Sequence, residues 1–174
     1  MQLKLSEATQ ILERTPSVLT AMIGDAPDGW VRAREGSGTW SCYDIVGHLI
    51  HGELTDWIPR ARIILEHGPE KAFEPFDRFA QFREDQSRPI SALLEQFEFL
   101  RRENLTALEA LNLTENDFPR RGLHPELGEV TLGQLLSSWV VHDLSHISQI
   151  ARVSAKQYEY QVGPWRDYMS ILKA

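Results

Sequence analysis

Apolar residues recur along this chain in steps of three and four, and four stretches carry the pattern far enough to predict long helices. The first spans Leu5 to Ile23, with Leu5, Ala8, Ile11, Leu12, Leu19 and Met22 on one side. Pro16 after Thr15 predicts an interruption or a restart there, since proline suits a first turn and threonine a cap. A loop follows over Gly24 to Gly38, rich in Asp, Pro and Gly. Ser41 begins the second helix, with Asp44 three residues on in a capping-box-like arrangement. Ile45, Leu49, Ile58 and Ile64 continue it to His67-Gly68-Pro69, and Pro59 predicts a kink because it cannot donate the i to i−4 hydrogen bond. Phe73, Phe76, Phe79 and Phe82 recur every third residue, which suggests a short helix or ordered loop laid over the core. Ser87-Arg88-Pro89 opens the third helix, carried by Ile90, Leu93, Leu94, Phe97, Leu105, Leu108 and Leu111. The connection from Asn112 to Val130 has room for a short hairpin. Thr131, with Gln134 three residues later, caps a fourth helix running to about Tyr158, and the tail GPWRDYMSIL is apolar enough to dock back. The expected fold is all-α, a four-helix bundle with short extra helices or loops, as one domain over residues 1–174.

Composition narrows the partners. The balance of 18 basic against 25 acidic residues gives a net charge of −7, which disfavours nonspecific binding to nucleic acid or an anionic membrane. Cys42 is the sole cysteine, so no intrachain disulfide or thiolate cluster can form, and a reducing cytoplasm is the expected location. The N-terminal stretch lacks the apolar core of a signal peptide, and no apolar run approaches the roughly 20 residues that span a bilayer.

The fourth helix carries the chemistry. Its inward positions read Leu132, Leu135, Trp139, His142, His146, Gln149 and Val153, which puts two histidines in the seam of the bundle. Residues i and i+4 share a helix face, so His142 and His146 can grip one metal ion or, alternatively, form a core pair hydrogen-bonded to other side chains. A catalytic metal wants a third protein ligand and an open position. His48 and His51 are the candidates, and His48 ranks first because it borders the Ile45–Leu49 seam with small Gly52 one turn later. His67 and His124 fall in expected loops and are read as solvated. Three imidazoles suit Zn²⁺ and accommodate Ni²⁺ or Fe²⁺. Asp143 stands where an H-E-x-x-H protease has its Glu, which argues against that chemistry. Glu53 and Asp143 are read as groups that orient an imidazole or as plain surface charges. Cys42 at a helix start is expected to be buried and inert.

The segments TWSCYDIVGHLIHGELTDWIPR, VVHDLSHISQIAR and GPWRDYM together resemble the DinB-like superfamily of metal-binding four-helix bundles. That resemblance implies a divalent metal held by His48, His142 and His146, a cytoplasmic homodimer and a small-molecule substrate. The group it points to includes thiol S-transferases using bacillithiol or mycothiol and a mycothiol-dependent maleylpyruvate isomerase. The leading expectation is therefore a metal-dependent thiol S-transferase that adds a low-molecular-weight thiol to an electrophile. A metal-dependent hydrolase, and a noncatalytic metal-stabilised bundle acting through protein contacts, stand as alternatives.

Overall fold

Four long helical segments line up side by side in the computed structural model, which describes residues 3–173. They are α1 (Leu5–Ile23), α3 (Cys42–Thr55) continued by α4 (Trp57–His67), α5 (Ile90–Ala110) and α6 (Leu132–Lys156). A single turn, α2 (Asp28–Val31), lies between α1 and α3. Helices α1 and α3 each pack against both α5 and α6, so α1 sits diagonally across the bundle from α3. A hairpin of β1 (Arg121–His124) and β2 (Gly128–Thr131) joins α5 to α6 and pairs Arg121 with Thr131 and His124 with Gly128. No helix among the described residues is long and apolar enough to cross a membrane.

Helix starts follow local chemistry. Ser41 Oγ accepts the Asp44 N–H at 3.1 Å while Asp44 Oδ2 accepts the Ser41 N–H at 2.9 Å, so aspartate closes this capping box as glutamate usually does. Thr131 and Gln134 form the same reciprocal pair at the start of α6.

The apolar core divides into two clusters. One gathers Leu19, Ile23, Ile45, Leu49, Phe97 and Ile150; the other gathers Leu12, Trp57, Ile64, Leu108, Leu132 and Trp139. Between them, at mid-height, every helix of the bundle contributes a buried polar group: the Leu12 carbonyl on α1, Glu53 on α3, Arg101 on α5 and Asp143 on α6.

Several expectations need correction. Helix α1 runs unbroken through Pro16. Proline removes the N–H that would bond the Leu12 carbonyl, and that carbonyl instead accepts a hydrogen bond from Arg101 Nη1 at 2.7 Å. The second helix does not merely kink: it breaks at Asp56 (φ −105°, ψ −72°), and Pro59 falls in the first turn of α4, where its missing N–H is tolerated. The phenylalanine segment, by contrast, is the expected ordered loop with a short 3-10 helix over Ala80–Arg83; Phe73 is buried while Phe79 and Phe82 are exposed. In the tail only Leu172 docks, leaving Trp165 and Tyr168 exposed.

Candidate metal centre

His48 lies mid-helix on α3, and His142 and His146 lie one turn apart on α6. Because α3 and α6 are packed neighbours, the three rings meet. His48 Nε2 is 3.1 Å from His142 Nε2, His146 Nε2 is 3.2 Å from the same atom, and one ring nitrogen of each residue lies within 4.8 Å of the others. Leu132, Leu135, Trp139 and Val153 line the core as expected of the α6 seam, but between them the buried line passes through Asp143 and Ile150 rather than His142 and Gln149. Asp143, at 0% exposure, occupies the fully buried line, and His142, His146 and Gln149 flank it as half-buried residues facing a cleft.

The donor set fits a metal ion. A ring nitrogen carries one proton or one lone pair, so His142 Nε2 makes one of its two close contacts a linear hydrogen bond and leaves the other unbonded. Nitrogens bound to one zinc at about 2.0–2.1 Å and tetrahedral angles lie about 3.3 Å apart, close to both observed separations. Gln149 Oε1 lies 2.9 Å from His146 Nδ1, which places the proton there and turns the Nε2 lone pair toward the other rings. His48 Nδ1 and His142 Nδ1 have no hydrogen-bond partner among the described residues. Aromatic packing fixes these two rings instead: Trp40 and Phe76 flank His48 at centroid distances of 4.8 and 5.4 Å, and Trp57 meets His142 edge-on at 5.2 Å. Burial, reinforced by repulsion among the imidazolium charges, pushes His48 and His142 down to about 3. Burial lowers His146 as well. All three are therefore neutral at pH 7, the form in which imidazole ligates.

The remaining candidates separate cleanly. His51, the second choice on α3, lies outside the trio with its ring 5.1 Å from Phe76. His67 is exposed as expected, but it is the last residue of α4 rather than a loop residue. His124 is half-buried on β1 rather than solvated; its Nδ1 accepts the backbone N–H groups of Glu126 and Leu127 at 3.1 and 3.2 Å, and its ring lines the cleft. The space beside Gly52 is taken by the Trp57 indole, 3.5 Å from where a Cβ would stand.

Glu53 and Asp143 are neither surface charges nor partners of an imidazole. Both pair with Arg101, which is 1% exposed. Arg101 Nη1 and Nη2 donate to Asp143 Oδ2 at 2.6 Å and Oδ1 at 3.0 Å, and Nη2 also donates to Glu53 Oε1 at 2.8 Å. Trp139 Nε1 donates to the same Glu53 oxygen, and Asn104 Nδ2 donates to Glu53 Oε2 at 3.0 Å. Asp143 sits between the two α6 histidines in sequence, so this lock sets the rotation of α6 that aims them at His48. Sequence reading missed Arg101, although a visible signal existed: it follows Phe97 by four and precedes Leu105 by four, on the apolar stripe of α5.

The centre forms the floor of a cleft of about 610 Å³. Trp40 and Phe76 stand on its walls. Salt bridges cross its rim, with Glu35 gripping Arg152 through two contacts of 2.9 and 2.7 Å and Asp56 lying 2.6 Å from Arg60. Burial pushes the Asp56 carboxyl up to about 6 against the opposing pull of Arg60, which still leaves it ionised at neutral pH.

Comparison with known proteins places these features in a family context. The family model of the DinB superfamily matches residues 11–150, a span that includes all three histidines. A protein of Oceanobacillus iheyensis named "Putative metal-dependent hydrolase OB0782" is 23% identical over 155 residues, covering 88% of this chain and 87% of that protein. The solved structure of YfiT from Bacillus subtilis superposes with a TM-score of 0.74 at 23% identity, covering 87% of this chain and 86% of that one. YfiT is described as "a probable metal-dependent hydrolase with an unusual four-helix bundle topology", and the similarity establishes the shared fold.

Proposed function

The chain belongs to the DinB superfamily, and on that premise we propose that His48, His142 and His146 hold one divalent metal ion at the floor of an active site that hydrolyses a small molecule. The observation that carries this reading is the convergence of three neutral imidazole nitrogens at 3.1 and 3.2 Å, where hydrogen bonding alone leaves one contact unsatisfied. Zn²⁺, Ni²⁺ and Fe²⁺ all suit such a set. When bound, the ion supplies a Lewis acid that polarises a carbonyl or phosphoryl oxygen and eases deprotonation of a nucleophile. The chain's own residues do the rest. Gln149 holds His146 in the ligating tautomer, the Arg101 lock keeps both α6 histidines turned inward, and Trp40 and Phe76 shield the His48 ring from bulk water. The grouped donors among the described residues stop at three, which favours an open catalytic position over a closed structural shell. The hydrolase names of the two relatives support the reaction class.

A second reading is thiol transfer, in which a low-molecular-weight thiol of the bacillithiol or mycothiol kind attacks an electrophile. The cleft of about 610 Å³, lined by charged side chains, favours keeping it, since a transferase needs a pocket able to hold a polar thiol beside the metal.

Metal analysis by mass spectrometry of the untagged protein tests the core of the proposal. About one ion per chain is expected, lost in each of His48→Ala, His142→Ala and His146→Ala, whereas negligible metal after reconstitution would overturn it. Metal-dependent ester or amide cleavage without added thiol then identifies a hydrolase, and turnover of a chloronitrobenzene only with thiol identifies a transferase.

A further inference from the structure

Six charged side chains line the cleft: Glu35, Asp56, Arg60, Arg78, Glu126 and Arg152. Four are mutually compensated, Glu35 by Arg152 and Asp56 by Arg60. Among the described residues Arg78 makes no side-chain hydrogen bond or ion pair and Glu126 makes no salt bridge. The two uncompensated charges serve different parts of the cleft. Glu126 belongs to the hairpin, where its own N–H bonds His124. Arg78 comes two residues after Phe76, whose ring stands edge-on to His48 at 5.4 Å, so the chain delivers the guanidinium beside the three histidines. Its positive charge is felt at both His48 and His146, while the negative charge of Glu126 is felt at His124. Arg78 is exposed, so water solvates its guanidinium when the cleft is empty; its charge adds to the positive potential at the histidine site, and an anion seated between the two would be attracted by both.

We propose that Arg78 is the substrate-recognition residue of this cleft and that its ligand is a small oxyanion, a carboxylate or phosphate, carried on a flat apolar body that lies against Trp40 and Phe76. A planar guanidinium matches a carboxylate or phosphate through paired N–H donors, which a lysine at this position would not reproduce. The indole of Trp40 stacks at 13° to the His146 ring, 6.3 Å away, and Phe76 meets His48 edge-on at 5.4 Å and also lines the cleft, so the walls offer apolar surface next to the three histidines. The volume of about 610 Å³ is in the range of small-molecule sites. This assignment deepens the metal-site reading, since the histidine-bound ion and Arg78 would share the anion, yet Arg78 itself belongs to no ligand set.

The test is calorimetric titration of benzoate, inorganic phosphate and the neutral isostere benzamide into zinc-loaded and zinc-stripped protein, for the parent chain and Arg78→Gln. The proposal expects at least one oxyanion to bind the loaded parent, benzamide to bind at least tenfold more weakly, and Arg78→Gln to weaken the oxyanion roughly 10- to 100-fold at unchanged zinc content. Tighter benzoate marks a carboxylate ligand, and tighter phosphate marks a phosphate ester. Equal affinity in parent and variant, benzamide matching benzoate, or no oxyanion binding at all would each overturn it. If the histidines take up no zinc, the proposed metal function falls, and the comparison of parent with Arg78→Gln on the stripped protein still decides the role of Arg78.

Discussion

Replacing Arg101 with methionine should cost about 3–5 kcal/mol, because it removes the sole cation from a buried group holding two carboxylates. The magnitude follows from the geometry. Glu53 and Asp143 have side chains at 0% exposure, and Arg101 at 2% supplies bonds to both at 2.6 to 3.0 Å and to the Leu12 carbonyl at 2.7 Å. With Arg101 the layer carries a net charge of −1; without it, two negative charges face each other out of reach of water. Each bond to a charged group is worth about 1.5–3 kcal/mol taken alone, but they share one guanidinium and do not add, so the cost of breaking a buried pair is the better measure. Methionine roughly preserves the volume, which keeps a cavity penalty out of the number. The assay is urea unfolding at pH 7 of metal-stripped protein, followed by far-UV circular dichroism; urea is chosen because guanidinium salts screen charge. A typical stability of about 5–15 kcal/mol leaves the variant folded or nearly so. Arg101→Met combined with Asp143→Asn should lose less than the sum of the single changes by about 1–3 kcal/mol. A loss below about 1 kcal/mol, or strict additivity, would refute the reasoning by showing that water reaches these carboxylates.

Three further outcomes are expected. In metal-stripped protein His48 and His142 titrate at about 3 when folded against 6.5 in the ordinary state, so the unfolded chain binds more protons between those values and stability is lost as pH falls. That amounts to about 4 kcal/mol for the pair between pH 6.5 and 4.5, read as a falling Tm that flattens in a His48→Ala/His142→Ala variant; an equally steep decline in that variant would reject the assignment. Gln149→Ala frees His146 Nδ1 and should weaken zinc about 10- to 100-fold in a chelator competition while changing stability little, and unchanged affinity would remove Gln149 from the site. Ser41→Ala opens the capping box before α3 and should cost about 1 kcal/mol in the same urea assay, with a loss near zero showing that the cap is replaced by solvent.

The four helical segments, the capping boxes that start α3 and α6, and the hairpin were legible in the sequence because they rest on local physics: periodicity of apolar residues, capping pairs three residues apart, and glycine and proline in the turns. The three histidines were legible for a related reason. Two lie at helical spacing, and the third sits on an apolar stripe where an imidazole is out of place. Pro16 shows where local reading stops. Taken by itself it marks a break, yet the helix continues because a guanidinium 85 residues later in the chain, Arg101, takes up the carbonyl that proline leaves free. Asp143 shows the same limit, since only the presence of Arg101 opposite makes the most buried line of α6 tolerate a carboxylate. The sequence by itself determined which segments are helices and which side chains could ligate. Tertiary structure alone decided that Asp143 turns inward while His142 and His146 face the cleft, and that Arg78 has no counter-ion among the described residues. Pairing of charges across the bundle depends on which helices are neighbours, a relation that spacing along one chain does not encode.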